Sequence, residues 1–257
     1  MKKVFASDFD GTLYFYKGKT PDEQLPPASV KKIQEYQKAG HLFGLCTGRQ
    51  VGGLTPFIKD KFDPDFYITS SGSNIVDGKF REIQRRGIDH DVCAKIYDKV
   101  KARGDYWVTL DLEGVITVFD TIDDFPGKYN IISDINDLPE GLVHQFSVHT
   151  ESESEAQSIV DEVNELFGDS VEAFRNVIEV DIAPKGCSKG KGVEVLRRHM
   201  GDCKLYGIGD SMNDLPLIQA SDVSYTFPYA PKELQEQATK VVETIVDALE
   251  DSMNDED

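Results

Sequence analysis

Two aspartates, Asp8 and Asp10, follow a short apolar run at residues 4–6 that is typical of a buried strand. Successive side chains on a strand point to opposite faces, so the two carboxylates can share one site only if the strand has ended and the backbone turns. Gly11 suits such a turn. Neighbouring acids repel one another, and a cation or a phosphoryl substrate would stabilise the pair. A polar turn after an edge strand is the alternative that these residues alone leave open.

Two later segments carry groups that suit a phosphoryl ligand. Thr47, Gly48 and Arg49 follow a second apolar run, where the hydroxyl could donate to a phosphoryl oxygen and the guanidinium adds positive charge. Residues 188–192 open a predicted helix, so Lys189 and backbone N–H groups could face an anion. The glycine spacing there does not match a P-loop. A common turn and a solvated helix start are the alternatives for the two segments taken singly.

Residues 207–214 form a stronger signal, because they end a buried strand with two acids four positions apart and an amide between them. A helix cap explains one acid, but it does not explain Asp210, Asn213 and Asp214 together beside two glycines. This segment therefore indicates a polar site at a strand end.

The elements that would position these groups form βαβ units. A helix is predicted at residues 30–39, followed by strands at residues 41–46 and 66–69, which implies a parallel sheet with right-handed connections. The parallel pattern resumes with a helix at 191–199, a strand at 205–208, a helix at 215–220 and a strand at 223–226. Open parallel sheets bind ligands at the carboxyl ends of their strands, where all the polar segments fall.

The middle of the chain has a different pattern. It predicts a helix near residues 91–102, strands at 106–110, 115–120 and 142–149, and an amphipathic helix at 153–167. Strands at 171–174 and 177–182 resemble a hairpin around Arg175 and Asn176. We therefore predict an α/β protein whose core, residues 1–80 and 185–257, is interrupted by an inserted α+β module at residues 81–184, with hinges at Gly78 and residues 183–186. The acidic tail at residues 250–257 is expected to fray.

Taken together and in this order, four segments resemble the motifs of the haloacid dehalogenase superfamily of phosphotransferases. They are residues 8–12, residues 47–49, Lys189 and residues 209–214. The match covers almost the whole chain. The inserted module and the spelling of residues 209–217 look like the Cof-type branch of that superfamily, whose cap is of type IIB. The resemblance implies a Rossmann-like parallel core with an inserted α+β cap.

The resemblance also implies a magnesium-dependent phosphatase that hydrolyses small phosphomonoesters, such as sugar phosphates, through an aspartyl-phosphate. Asp8 would be the nucleophile and a Mg²⁺ ligand. Asp10 would carry the proton, with its backbone carbonyl on the metal, and Asp210 would be the third ligand. Asn213 and Asp214 would support the waters of the metal. Two carboxylates, a carbonyl, waters and a substrate oxygen suit the octahedral preference of magnesium.

In the same family pattern, Thr47 and Lys189 are catalytic groups that hold the phosphoryl oxygens and offset the charge of the transition state. Gly48, Arg49 and Asn213 complete the expected phosphate-binding set. The cap would close over the site and exclude water. The sequence does not indicate which cap residues contact the substrate.

Composition excludes several other partners. A net charge of −18 over 257 residues disfavours nucleic acid and anionic membranes, because the overall field repels polyanions. No apolar run is long enough to span a bilayer. The expected partner is a small phosphorylated metabolite and the expected location is cytoplasmic, whereas the sequence does not indicate an oligomeric state.

Two alternatives remain open at the sequence level. A phosphomutase of the phosphomannomutase type shares the paired aspartates and the cap class, and a non-catalytic ligand-binding regulator could keep the fold. The chain also departs from the Cof-type pattern at two places. Ser71-Gly72 stands where Asn-Gly is usual, and Tyr229-Ala230 stands where Asn-Ala is usual. Both departures leave the substrate preference open.

Overall fold

The computed structural model describes residues 2–18, 20–121 and 128–255. The strands in chain order are β1 (Lys2–Ser7), β2 (Leu42–Cys46), β3 (Phe66–Thr69), β4 (Asn74–Asp77), β5 (Glu82–Arg85), β6 (Trp107–Leu112), β7 (Val115–Val118), β8 (Tyr129–Ile131), β9 (Val143–His149), β10 (Val171–Asn176), β11 (Glu179–Pro184), β12 (Cys203–Ile208), β13 (Val223–Thr226) and β14 (Lys240–Val241). The helices are α1 (Pro21–Gln24), α2 (Pro27–Lys38), α3 (Val51–Ile58), α4 (His90–Arg103), α5 (Glu153–Phe167), α6 (Lys189–Met200), α7 (Leu215–Ala220), α8 (Lys232–Gln237) and α9 (Ile245–Asn254).

The larger sheet has the strand order β14-β13-β12-β1-β2-β3-β4-β5. Its strands are parallel from β14 to β3, and the β3, β4 and β5 pairings are antiparallel. The central strand β1 is buried on both faces, as expected for a parallel sheet covered by helices. Asp8 therefore follows a strand at the centre of the sheet.

The two faces of β1 pack into separate cores. Phe5 lies beside Phe43 and Tyr206 on the neighbouring strands, stacks on both rings, and contacts Tyr36 of α2 edge to face. Helices α3 and α9 cover the same face. On the other face, Val4 packs with residues of α6 and α7. These two apolar layers hold β1 beside β12 in the register that places Ser7 opposite Ile208.

The smaller sheet forms the cap, with the order β10-β11-β9-β6-β7-β8. Its pairings are antiparallel except for the parallel pair β7 and β8. Helices α4 and α5 cover one face, where Ile96 and Ile159 are buried with Phe146. The opposite face of this sheet faces the core domain. The predicted α/β class, with a parallel core and an inserted α+β module, is confirmed.

Two local features differ from the sequence prediction or extend it. The β10–β11 turn lies at Val177 and Ile178, because Arg175 and Asn176 are paired strand residues. The prediction of a turn at Arg175 and Asn176 was therefore wrong. Strand β5 pairs with β4, so the larger sheet extends past residue 80. The two-domain division at residues 80 and 184 stays a prediction.

The expected fraying of the tail was wrong for the described residues, because α9 continues to Asn254. Thr244 and Asp247 form a reciprocal cap at its start, and Leu249 is fully buried. At the other end, Lys3 Nζ donates to the carbonyls of Ser252 at 2.9 Å and Asp255 at 2.6 Å. A lysine at the carboxyl end of a helix satisfies carbonyls that the helix leaves unpaired. Residues 256–257 lie outside the described part.

Among the described residues, no helix combines the length and the apolar character that crossing a membrane requires.

Candidate active site

The polar segments predicted from the sequence converge at the carboxyl edge of the larger sheet. Asp8 directly follows β1, Thr47 directly follows β2, and Asp210 lies two residues after β12. A cavity of about 610 Å³ opens between this edge and the cap. Seven of the predicted site residues line it: Asp8, Asp10, Thr47, Gly48, Arg49, Lys189 and Asn213. The parallel topology therefore gathers groups that are up to 205 positions apart in the chain, from Asp8 to Asn213.

Lys189 lies between two carboxylates at the start of α6. Its Nζ is 2.7 Å from Asp8 Oδ1 and 2.5 Å from Asp214 Oδ1. The lysine is 3 % exposed and both acids are buried. Burial alone would lower the pKa of Lys189, but the charges of Asp214 and Asp8 raise it well above its ordinary value. The lysine is therefore charged and held on the Asp8 carboxylate.

Among the described residues, a group of three carboxylates forms a candidate cation site. Oxygens of Asp8, Asp210 and Asp214 all lie within 4.8 Å of one another. Burial and the Asp214 charge raise the pKa of Asp8, although Lys189 acts in the opposite direction. The three carboxylates, of which Asp8 and Asp214 are buried and Asp210 is partly exposed, carry more negative charge than one lysine offsets, so the group favours a further cation or a proton. Oxygen ligands of this kind fit Mg²⁺.

Asp210 is oriented by its neighbours in two motifs. Thr12 Oγ1 donates to its Oδ1 at 2.7 Å, and its own backbone N–H donates to Asp214 Oδ2 at 3.0 Å. Burial, followed by the charge of Asp214, raises the pKa of Asp210 to about 7. Gly11, at φ +80°, allows the close approach, because a Cβ there would lie 2.4 Å from Asp210 Oδ2.

The Asp10 carboxylate forms an ion pair with Arg49. Arg49 Nε and Nη2 donate to its two oxygens at 2.6 and 2.8 Å. The guanidinium also lies over the rings of Phe9, Tyr16 and Phe57 at 5.4, 5.5 and 4.9 Å from their centroids. Arg49 was predicted to bind phosphate, whereas the structure places it on the proposed proton carrier.

Thr47 and Gly48 lie where the core meets the cap. Thr47 is buried, and its Oγ1 accepts from the Arg49 N–H at 3.1 Å. A Cβ added at Gly48 would be 3.1 Å from Asp181 Oδ2 of β11. The glycine therefore lets a cap carboxylate approach the predicted phosphate loop.

The departure at Ser71-Gly72 forms a polar junction with the cap. Ser70 Oγ donates to Asp111 Oδ2, and Ser71 Oγ donates to Gln145 Oε1 at 2.9 Å. Ser70 and Ser71 both adopt positive φ, at 49° and 54°, which is a costly conformation for residues with a Cβ. Ser71 N–H also donates to the Thr47 carbonyl at 3.2 Å. This strained segment links Thr47 directly to the cap.

The cap side of the cavity contains a hydrogen-bonded group around Asp181. Gln145 Nε2 donates to Asp181 Oδ1 at 3.0 Å, and Ser147 Oγ donates to the same oxygen at 3.2 Å. Asn176 Nδ2 lies 3.5 Å from Asp181 Oδ2. Burial, followed by the charge of Glu179, raises the pKa of Asp181 to about 6. Sequence reasoning missed these cap residues, because their strand register is needed to bring them together.

Three core residues that contact this site were also absent from the predicted set. Thr12 contacts Asp210, and Ser211 Oγ donates to Asn213 Oδ1 at 2.6 Å. Tyr229 Oη donates to the Gly11 carbonyl at 2.8 Å. The sequence did point to them, because Thr12 and Ser211 lie within the motifs at residues 8–12 and 209–214. Tyr229 lies at a departure from the family pattern.

Comparisons with known proteins agree with this architecture. The family model of haloacid dehalogenase-like hydrolases matches residues 5–248. The chain is 23% identical over 274 residues to 5-amino-6-(5-phospho-D-ribitylamino)uracil phosphatase YwtE of Bacillus subtilis (strain 168), covering 94% of this chain and 93% of that protein. It is 26% identical over 238 residues to the chloroplastic endoribonuclease YBEY of Arabidopsis thaliana. That match covers 84% of this chain and only 40% of the relative.

A solved structure shows the same fold. The subclass IIB sugar phosphatase BT4131 superposes with a TM-score of 0.78 at 20% sequence identity, over 98% of this chain and 97% of that one. The family model spans nearly the whole chain, and its range includes every residue of the carboxylate group and the lysine that binds it. The chain therefore belongs to the haloacid dehalogenase-like hydrolases.

Proposed function

We propose that this protein is a magnesium-dependent phosphatase that hydrolyses small phosphomonoesters through an aspartyl-phosphate on Asp8. The observation that carries this proposal is the position of Asp8 in the cavity wall, where it contacts Lys189 and has an oxygen within 4.8 Å of an oxygen of the Asp210 carboxylate. A buried carboxylate beside one lysine and further acids suits attack on phosphorus, because the lysine can transfer its contacts to phosphoryl oxygens.

In the first step, an Asp8 oxygen attacks phosphorus and the bond from phosphorus to the ester oxygen breaks. Asp10 gives a proton to the departing alkoxide, which leaves as an alcohol. In the second step, water attacks the phosphorus of the aspartyl-phosphate and gives a proton to Asp10. Phosphate leaves and the Asp8 carboxylate is restored. Thr47 and Lys189 hold the phosphoryl oxygens in both steps.

Asp8, Asp210 and the Asp10 carbonyl would hold the Mg²⁺, with Asp214 and Asn213 beside them. Asp214 is already bound at both oxygens, by Lys189 and by the N–H groups of Asp210 and Ser211. It is therefore better suited to fix the ligands than to bind the metal. When bound, the ion would neutralise phosphoryl charge as it develops.

The names of relatives support a small phosphorylated metabolite as the substrate. YwtE is named for a phosphorylated ribityl compound and BT4131 is described as a sugar phosphatase. Another relative, from Serratia proteamaculans (strain 568), is named an HMP-PP phosphatase. A cavity of about 610 Å³ has room for a metabolite of comparable size.

The direct test is release of inorganic phosphate from p-nitrophenyl phosphate and a panel of sugar phosphates. We expect turnover with Mg²⁺, loss with a chelator, and recovery when Mg²⁺ is restored. Asp210→Asn should lose most of its response to Mg²⁺, whereas Asp202→Asn, at an exposed aspartate outside the cavity, should behave as the unchanged protein. A folded protein that releases no phosphate with any metal would refute the proposal and favour a ligand-binding regulator.

The same panel separates a phosphatase from a phosphomutase. A mutase would convert one hexose phosphate into its isomer and release little phosphate. We expect phosphate and free sugar as the products, measured together by phosphate assay and phosphorus NMR. Formation of an isomeric sugar phosphate as the main product would assign the mutase activity instead.

A further inference from the structure

The charge of the cavity wall differs between its two sides. Among the described residues that line the cavity, the lysine and arginine side chains are Lys189 and Arg49. Both belong to the core and both are bound to carboxylates, Lys189 to Asp8 and Arg49 to Asp10. The described part of the cap contributes neither lysine nor arginine to this wall. A substrate group that reaches the cap therefore meets no positive charge from these residue types.

The cap instead contributes three acids, Asp111, Glu179 and Asp181. Asp181 is 3 % exposed, and its donors among the described residues are the neutral side chains of Gln145, Ser147 and Asn176. No lysine or arginine in the described ranges forms an ion pair with any of the three acids. None of the three acids is thus held by a direct lysine or arginine contact among the described residues, although the charge of Lys189 acts on Asp181 without an ion pair.

Asp111 shows a second sign that a partner is missing. It is 7 % exposed, and Ser70 binds its Oδ2, whereas its Oδ1 has no hydrogen-bond partner among the described residues. A buried carboxylate oxygen without a donor is costly, so a cation that approaches Asp111 from the cavity would be stabilising. Glu179 has one partner in the wall, His149 Nδ1 at 3.3 Å.

An aromatic side chain completes this wall. Trp107 lines the cavity, remains 45 % exposed, and meets the His149 ring edge to face at 6.3 Å. Exposed tryptophan rings attract cations through their π faces. Carboxylates beside such a ring are the combination that favours an ammonium group and repels an anion.

We propose that the cap selects phosphate esters of alcohols that carry a positively charged amine, and rejects esters that carry a second anionic group. This inference rests on the proposed phosphatase function and names its substrate class. Asp181, Glu179 and Asp111 act on the leaving group, while the phosphoryl group stays with Asp8 and Lys189. The acids are therefore specificity residues and take no part in the bond changes at phosphorus.

The test compares three aryl phosphates that differ only in the para substituent: aminoethyl, hydroxyethyl and carboxymethyl. Their phenols are similar leaving groups, so differences in kcat/KM report the charge of the substituent. We expect the amine ester to exceed the carboxylate ester by about tenfold or more, with the hydroxyl ester between them. Esters that are not turned over are measured as competitive inhibitors of p-nitrophenyl phosphate hydrolysis, and the same order is expected in their Ki values.

Asp181→Asn and Glu179→Gln should each reduce this ratio, while Glu165→Gln, at an exposed glutamate outside the cavity, should leave it unchanged. Glu179 is about half exposed, so its variant remains informative if Asp181→Asn fails to fold. A carboxylate ester that equals or exceeds the amine ester, or a ratio that neither variant changes, would overturn the inference. Absence of p-nitrophenyl phosphate hydrolysis would instead refute the proposed function on which it rests.

Discussion

Arg49 holds both carboxylate oxygens of Asp10, with its Nε at 2.6 Å and its Nη2 at 2.8 Å. A carboxylic acid that has taken up a proton cannot accept both of these bonds, so a proton on Asp10 requires the pair to loosen. The arginine itself is fixed by three aromatic rings and by the Gly53 carbonyl, 3.2 Å from its Nη1. Arg49 is therefore a positioning residue for the proton carrier in our account.

Arg49→Lys should slow hydrolysis by an amount that depends on the leaving group of the ester. Lysine keeps the charge but loses the two-pronged contact with Asp10. Hydrolysis of an alkyl phosphate, whose alkoxide must be protonated, should fall by about 10- to 100-fold. p-Nitrophenyl phosphate should lose less, because p-nitrophenolate leaves without a proton. Steady-state kinetics on both esters checks this, and equal losses would indicate that Arg49 binds the phosphoryl group instead.

Lys189→Met should destabilise the metal-free protein. The change leaves Asp8 and Asp214 buried without their cation, a situation that costs about 3–5 kcal/mol. Added Mg²⁺ should recover part of this loss, since it supplies positive charge to the same acids. Urea denaturation with and without Mg²⁺ measures both effects. Lys191→Met, which removes an exposed pair with Glu194, should cost less than about 1 kcal/mol. Similar losses for the two variants would contradict the account.

Gly11→Ala should weaken metal binding without unfolding the chain. The new Cβ would meet the Asp210 carboxylate at 2.4 Å and displace it. Gly40→Ala is a matched control, because Gly40 also has a positive φ, +90°, but has nothing within 4 Å of the added carbon. Isothermal titration with Mg²⁺ should show a loss of about tenfold or more in affinity only for Gly11→Ala. Unchanged affinity in that variant would separate Asp210 from the metal.

Asp181 should make stability depend on pH. Burial and Glu179 raise its pKa to about 6 in the folded protein, above the unfolded value near about 4. The folded state then holds this proton more tightly, so the free energy of unfolding falls as pH rises from about 4 to about 6. Asp181→Asn should reduce that fall by an amount on the order of 3 kcal/mol. Urea denaturation of both proteins across this range tests the prediction, and an identical pH slope would contradict it.

Much of the core site could be predicted, because each group lies just after a strand that is recognisable from its apolar residues. Asp8, Thr47 and Asp210 follow β1, β2 and β12, and parallel strands bring such positions to one edge. Lys189 could be placed because it is the first residue of α6 and follows the helix cap Ser188. The Ser188 Oγ accepts a hydrogen bond from the Lys191 N–H. These signals are local, so sequence alone carries them.

The cap contacts could not be predicted, since they depend on register and on domain packing. Gln145 and Asp181 meet because β9 and β11 pair, and a shift of either strand by one residue would place the two side chains on opposite faces of the sheet. The contact of Ser71 with Gln145 further requires positive φ at two consecutive serines. The residue type does not predict this backbone conformation, because serine rarely adopts it. The β10–β11 turn was missed for a similar reason, as Val177 occupies a turn position with φ +56° that β-branched residues rarely adopt.

The central claim is that Asp8 carries the phosphoryl group during turnover. The most direct measurement is acid quenching of the enzyme during hydrolysis of p-nitrophenyl phosphate, followed by peptide mass spectrometry. We predict one phosphoryl group on the peptide that contains Asp8, and neither phosphopeptide nor turnover in a folded Asp8→Asn variant. A phosphoryl group on another residue, or sustained hydrolysis by Asp8→Asn, would contradict the account.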